Sequence, residues 1–530
     1  MSEPTSRATT IGERVSALAA EHPHRPAVVH VAPDGTETAL SWQDLDHRSD
    51  SAAHHLMDHG VTSASLVAIS LPGGLDHVVT AMAVWKLGAT VLPLPDESTD
   101  RETAALLETA QAGYVVTRRT RSALWPTATP ESAGPVAVLS PSELRRPGTR
   151  TGPPPCTGTP LSAHTTGGST GLPKVVVRDK AWTYRPEDLP SRGDLSLGLS
   201  LGQRHLVMLP LHHTGFTKLH HGLALDHTVI LLERFIPHLV PRLIQKHRVN
   251  YFATVPSMMG WILKVPDLDS YDLTSVTAVH HGAAPCPERI KRAWLDLLGP
   301  RAVYEGYSSQ ERIGAVWIRG DEWLARPGSV GRAAPDEVRI VTADGRTAGP
   351  GEVGEVHFKM PVTRQPRYLG PSERLPERDG WLSMRDMGRL DEDGYLYLVG
   401  RRGDFINVGG FKVYPAEVEE ALLQCPGVHD AAVVGREHPL LGQAVHALVV
   451  PSTPARPPDP LDLSIRCRRL LSAAKVPLTY EFVDSVCRNE AGKIRRGTLA
   501  ERPDTDEGGR TPPGSEDLAR RLDFRSSERP

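Results

Sequence analysis

The sequence predicts an α/β protein: a large N-terminal domain of parallel α/β sheets plus a small β-rich subdomain, followed by a smaller C-terminal α/β domain. Three observations carry that expectation. Short apolar runs alternate with helical patterns through the first three-quarters of the chain, which is the texture of parallel βαβ units. After Glu337 it gives way to short strands separated by turns such as Ala343-Asp344-Gly345 and Glu392-Asp393-Gly394. From Gly403 a compact β/α module begins.

Ile11, Val15 and Leu18 fall on one helical face, so the opening segment is expected to dock on the body of the protein. The first βαβ unit reads as strand Ala64 to Leu71, helix Leu75 to Leu87 and strand Thr90 to Leu94. From about residue 143 to Pro160, and most plainly in RRPGTRTGPPPCTGTP, the chain reads as a linker. A second unit follows, with strand Val229 to Leu232, helix Leu239 to His247 and strand Tyr251 to Val255. The third has strand Val276 to His280, helix Arg289 to Leu298 and strand Ala302 to Tyr304. Ligands collect beyond strand ends in such sheets, so the site is expected at Pro210 to Phe216, His281 to Pro285 and Gly306 to Glu311. The large domain is placed at 1–402, with its β-rich part at about 337–402, and the small domain at 403–500. In the latter, Pro415 to Leu423 reads as helix, and Ala431 to Val434 and Ala447 to Val450 as strands. Residues 501–530 are charged and poor in aliphatic side chains, as in a disordered tail.

With 530 residues, 39% hydrophobic and 23% charged, the chain holds two to four globular domains. A net charge of −3 and no basic stripe argue against nucleic acid as a partner. Cys156, Cys286, Cys425, Cys467 and Cys487 are odd in number and lack the short spacings of a zinc site, so they read as reduced thiols. No apolar stretch is long enough for a membrane span, and the N-terminus lacks a basic segment followed by an apolar core. A cytoplasmic enzyme is the expectation.

The run Thr165-Thr166-Gly167-Gly168-Ser169-Thr170-Gly171-Leu172-Pro173-Lys174 packs glycines and hydroxyls ahead of one lysine. Glycines bring backbone N–H groups close to an anion, and Ser169, Thr170 and Lys174 add hydroxyl donors and a positive charge, a combination suited to a polyphosphate. Walker loops need Gly-Lys-Ser/Thr, which is absent here. On its own the run is equally compatible with an unliganded surface loop.

Read in order, several segments resemble the acyl-adenylate-forming superfamily of acyl-CoA synthetases, peptide-synthetase adenylation domains and luciferases, over about residues 10 to 500. They are Thr166 to Lys174, His281-Gly282-Ala283-Ala284-Pro285, Glu305-Gly306-Tyr307-Ser308-Ser309-Gln310-Glu311, Asp386 within GWLSMRDMGRLDEDGYLYLVGR, GRRGDFINVGGFKVYPAEVE, and Asn489-Glu490-Ala491-Gly492-Lys493-Ile494. Six ordered matches make coincidence a poor explanation.

The resemblance implies an ATP- and Mg²⁺-dependent carboxylic acid ligase working through acyl-AMP, with CoA as cosubstrate. It implies that Thr166, Gly168, Ser169, Thr170, Gly171 and Lys174 embrace phosphates, that Glu311 ligates Mg²⁺, and that Lys493 bridges the substrate carboxylate and the α-phosphate. By the same resemblance Tyr307 stacks on adenine, Gly282, Ala283 and Ala284 read its edge, Asp386 binds the ribose hydroxyls, and Gln310 and Arg401 complete the nucleotide site. The small domain is implied to be mobile about a hinge at Arg402, Gly403 and Asp404, with Gly409 and Gly410 forming one wall of the acceptor tunnel. His213, Thr214, Lys218, Val255, Met259 and His281 are implied to line the acyl pocket, whose histidines and lysine suit an aromatic or polar-substituted acid.

Several positions depart from the family pattern. Gln310 stands where a threonine is common, Ser308 replaces a glycine, Met384-Arg385 replace Thr-Gly before Asp386, and Gly403 replaces a hinge Asp or Lys. A free-standing acyl-CoA synthetase is the first reading. An amide bond synthetase using a free amine, a loader of a carrier protein, a luciferase-like oxygenase and a non-catalytic nucleotide-binding regulator are the alternatives.

Overall fold

The structure is a computed structural model that describes residues 7–120, 136–145, 152, 154, 156–166, 174–178, 182–332, 334, 336–360, 366–370, 375, 377–402, 405–408, 411–438, 441–486, 488, 494 and 499. Its central sheet has eight strands, in the spatial order Ala315–Arg319, Val303–Ser308, Ala278–Gly282, Tyr251–Thr254, Arg204–Val207, Thr228–Leu232, Pro26–Val31 and Glu37–Ser41. The inner six run parallel and the two edge strands antiparallel. Leu206, Phe252, Val279 and Val303 pack on one face against the helices Leu239–His247, Pro256–Ile262 and Glu288–Leu298. The opposite face is aromatic and polar. There His205, Tyr251 and His280 touch in series and Tyr304 and Trp317 each touch His280, with ring centroids 4.6 to 5.5 Å apart. Helix Thr214–Ala224 lies across this face, and a Cβ at Gly222 would come within 2.6 Å of the His205 ring.

A seven-stranded sheet is built on the parallel strands Leu66–Ser70 and Thr90–Pro93, joined by the buried helix Leu75–Lys86. Strands Leu161–Thr166 and Lys174–Arg178 form an antiparallel hairpin at one side of it, with Thr166 opposite Lys174. Strand Arg367–Leu369 joins the outer edge of that hairpin. The six-stranded β-rich sheet is antiparallel and includes Val338–Val341, Gly354–Lys359, Trp381–Leu390 and Tyr395–Arg401. At the C-terminus a five-stranded sheet carries the helices Pro415–Leu423 and Pro460–Leu470 around its own core. It meets the large sheet unit where Arg289 Nη2 donates to the His429 carbonyl at 3.0 Å and Glu288 N–H to Glu420 Oε1 at 3.3 Å. The fold class expected from the sequence is the one observed, and among the described residues no helix is long and apolar enough to cross a membrane.

Details differ from the sequence reading. Strand Arg204–Val207, which the apolar pattern missed because it opens Arg-His, sits between Thr228–Leu232 and Tyr251–Thr254, so those two strands are not neighbours. The strand expected to end at Tyr304 continues to Ser308 because Ala315–Arg319 pairs with its extension, which puts Gly306 and Tyr307 inside the sheet. The linker expected from 143 overlaps a short helix, Pro141–Leu144.

Two local features fix the approach to the site. Lys291 of helix Glu288–Leu298 forms a buried ion pair with Glu305, two residues before Tyr307. Burial pushes the Glu305 carboxyl up and the Lys291 ammonium down, so each ion depends on the other. In the β-rich sheet, Arg385, one of the residues that depart from the resemblance, takes a left-handed φ of 64°. An L side chain there costs about 1–2 kcal/mol.

Lys291→Met is expected to destabilise the protein by about 3–5 kcal/mol near neutral pH, because it strands a buried carboxylate. Glu305 then holds its proton more tightly folded than unfolded, so the deficit shrinks as pH falls; urea unfolding at several pH values measures both effects. Arg385→Gly is expected to stabilise by about 0.5–1 kcal/mol, the strain relieved less the added freedom of the unfolded chain, read as a rise in the melting midpoint.

Candidate active site

The end of strand Val303–Ser308 and the loop that follows it form the hub of the site. Tyr307 donates its hydroxyl to Asp386 Oδ2 at 2.5 Å, and Arg401 Nε donates to Asp386 Oδ1 at 2.9 Å. Asp386 and Arg401 face each other as cross-strand partners in the β-rich sheet. Burial and the neighbouring Asp386 carboxylate both raise the Tyr307 phenol, which keeps it a neutral donor. The Tyr307 ring lies 6.0 Å from Phe358 on the β-rich side. Beside it, strand Ala278–Gly282 runs so close that a Cβ on Gly282 would stand 2.5 Å from the Gly306 carbonyl oxygen. Ala283 then turns with a positive φ of 68°, and Ala284 follows half-buried.

Four residues beyond Tyr307, Glu311 receives the Tyr368 hydroxyl at 3.5 Å. Lys174 Nζ lies 5.7 Å from the centroid of the same tyrosine ring. Tyr368 therefore places the lysine after the glycine run near the glutamate of the hub loop. Sequence reasoning missed it, although its segment, Arg367-Tyr368-Leu369-Gly370, has the apolar, turn-bounded character of a short strand. Gln310 is held by Arg178, whose two terminal nitrogens reach Gln310 Oε1 and, at 2.7 Å, Thr217 Oγ1. With its oxygen so engaged, the Gln310 amide points its NH₂ as the donor end. Arg178 was also missed; the signal was a charge closing the apolar run Lys174-Val175-Val176-Val177.

Glu311 fits a magnesium ion. Its carboxylate meets one neutral hydroxyl, and among the described residues no group of three or more His, Cys, Asp or Glu side chains gathers as a metal cage. A single hard carboxylate suits Mg²⁺, which completes its shell with water and phosphate oxygens.

The six expected acyl-pocket residues do not share one wall. His213 stands at the N-cap position of helix Thr214–Ala224 without a side-chain capping hydrogen bond, Thr214 is its exposed first residue, and Lys218 follows one turn later. Val255 and Met259 pack in the core on the other face of the central sheet, where Trp294 Nε1 donates to the Met259 carbonyl at 3.2 Å. His281 is buried on that side too; desolvation, then the charge of Lys291, push its imidazole well below the usual range, so it is neutral. Lys218 instead meets Tyr251 and His280, which the sequence did not single out. Arg402, expected at a hinge, donates to Glu355 Oε2 at 2.9 Å. Gly168, Ser169, Thr170, Gly171, Gly403, Asp404, Gly409, Gly410 and Lys493 lie outside the described residues, and of Thr166 the structure describes only the backbone, opposite Lys174.

The chain is similar to many known proteins. It is 31% identical over 499 residues to a feruloyl-CoA synthase of Amycolatopsis sp, covering 91% of this chain and 96% of that one. It is 29% identical over 504 residues to the fatty acid–[acyl-carrier-protein] ligase ScoC of Streptomyces coeruleorubidus, covering 90% and 94%. Among solved structures, the o-succinylbenzoate CoA synthetase MenE of Bacillus subtilis in complex with its acyl-adenylate intermediate superposes with a TM-score of 0.76 at 25% identity, over 94% of this chain and 99% of that one. MenE has also been solved with ATP and a magnesium ion. The amide bond synthetase McbA of Marinactinospora thermotolerans gives a TM-score of 0.76 at 26% identity, over 92% and 98%. The model of the AMP-binding enzymes matches residues 15–365 and that of the AMP-binding enzyme C-terminal domain residues 417–493, so this chain, with its hub loop between a lysine-bearing hairpin and an aspartate-bearing strand, belongs to the AMP-binding enzyme family of AMP-forming ligases.

Proposed function

We propose that the protein is an ATP-dependent carboxylic acid ligase that forms acyl-AMP with release of pyrophosphate and then transfers the acyl group to CoA. The observation that carries this reading is the pairing of two clusters on one short segment: Tyr307 with Asp386 and Arg401, and Glu311 with Tyr368 beside Lys174. The first suits a nucleoside, with a ring to stack on and a carboxylate to accept from ribose hydroxyls. The second suits a polyphosphate and its Mg²⁺, which would shield the phosphate charge as it shifts to the leaving group.

In the first step a carboxylate oxygen bonds to the α-phosphorus while the bond to the bridging oxygen breaks, and pyrophosphate leaves with that electron pair. Lys174 and Lys493 are assigned to the anionic oxygens, and the Gln310 NH₂ to a non-bridging oxygen of the reacting phosphate. In the second step the sulfur of CoA bonds to the acyl carbon, the carbon–oxygen bond to phosphate breaks, the thiol proton is lost, and AMP departs. CoA as acceptor is supported by the relatives named for CoA thioesters. An amine is the second reading, supported by the equal TM-score to an amide bond synthetase.

Incubation with a panel of carboxylic acids and ATP, with CoA or with amines, is expected to yield pyrophosphate and an acyl-CoA by mass spectrometry. Amides without any thioester would transfer the reading to the amine. Lys493→Ala is expected to slow acyl-AMP formation by roughly 10²–10³, the effect of losing one preorganised donor, while transfer from supplied acyl-AMP to CoA is largely retained. Equal loss of both steps in a folded variant would contradict that division of labour.

A further inference from the structure

Lys218 is a cation in neutral company. Its ammonium donates to Tyr251 Oη at 2.8 Å and lies 3.4 Å from His280 Nδ1. On the other side of that imidazole, Nε2 stands 2.8 Å from the Leu197 carbonyl, which only accepts, so Nε2 carries the proton and Nδ1 is an acceptor. The Tyr251 hydroxyl, 3.3 Å from Nδ1, donates to the same nitrogen. Both polar partners of the ammonium, Tyr251 and His280, are thus uncharged, and a lysine has three N–H donors for these two acceptors.

Among the described residues no carboxylate stands within ion-pair distance of Lys218. Asp194, the acid that acts on it electrostatically, already has three donors of its own: it accepts from the Ser191 backbone at 2.9 Å, the Ser191 hydroxyl at 2.7 Å and His221 at 2.8 Å. Desolvation, reinforced by the charge of Arg312, lowers the Lys218 ammonium to about 8. A half-buried cation that is hydrogen-bonded but not neutralised is costly unless an anion joins it.

Lys218 is linked to the reacting end of the proposed site through its chain neighbour. The residue before it, Thr217, is bound to Arg178, which holds Gln310. On the same face of the central sheet the His280 ring touches Tyr304, and the Trp317 ring centroid lies 6.0 Å from the ammonium.

Building on the ligase reading, we infer that Lys218 is a specificity-determining residue: the substrate is an organic acid carrying a second anionic group at its far end, which Lys218 binds while the near carboxylate is adenylated. Tyr251 and His280 hold the ammonium in place.

The test compares acids that differ only at the far end, para-methylbenzoate with terephthalate and hexanoate with adipate, by kcat/KM for acid-dependent pyrophosphate release. The intact enzyme is expected to favour the dianionic member of each pair by about tenfold or more. Lys218→Met is expected to abolish that preference by lowering kcat/KM for the dianionic members about tenfold more than for the methyl members, and Lys218→Arg to keep it. Tyr251→Phe, which retains the core ring and loses the hydroxyl, is expected to reduce the preference about fivefold. The inference is overturned if the intact enzyme favours the methyl members, or if Lys218→Met lowers both members equally; release with methyl members alone leaves the ligase reading standing, whereas no release with any acid removes both.

Discussion

The hydrogen bond from Tyr307 to Asp386 ties the central parallel sheet to the antiparallel β-rich sheet, and the placement of the site depends on it. A parallel sheet gathers its functional groups at one end, but it offers few strand ends close enough to surround a ligand as long as a nucleotide. In the proposed nucleotide site the second sheet supplies the missing wall. Asp386 is held from its own sheet by Arg401, so its carboxylate is already oriented when the tyrosine meets it. The same segment reaches Glu311 four residues on, and there a third sheet contributes Lys174 and Tyr368. Three sheets, each stabilised by its own apolar core, thus converge on five consecutive residues.

Preorganisation of this kind has a cost, visible in three places. Arg385 occupies left-handed backbone that glycine would take without strain, and Ala283 does the same just after strand Ala278–Gly282. The Lys291–Glu305 pair buries two charges to lock the strand that leads into the hub. A well-packed apolar pair of the same volume would hold that strand at least as firmly, so the ion pair is an orienting device more than a stabilising one.

Much of the fold was legible because helical and strand periods were clean. Leu75 to Leu87 appears as Leu75–Lys86, and the helix Pro415–Leu423 appears with the expected bounds, since a proline at its first turn and apolar spacing mark it well. Arg204–Val207 was illegible because a four-residue strand opening with two polar residues has no period to read. The site was legible only in part, for a related reason. Residues within one motif, such as Tyr307, Gln310 and Glu311, announce themselves together, whereas Tyr368, Arg178 and Tyr251 come from separate strands and acquire meaning only through register. Met259 and His281 were grouped with Lys218 by motif, yet alternation along a strand sends adjacent residues such as His280 and His281 to opposite faces.

The central claim is that an organic acid is activated as its mixed anhydride with AMP in the cleft around Tyr307 and Glu311. Transfer of heavy oxygen from a labelled carboxylic acid tests it most directly, because attack on the α-phosphorus followed by acyl transfer leaves one carboxylate oxygen on the nucleotide. The account predicts one label in AMP and none in pyrophosphate. Label in a phosphate released from the terminal end of ATP, or in no phosphorus product while the acyl product still forms, would contradict it.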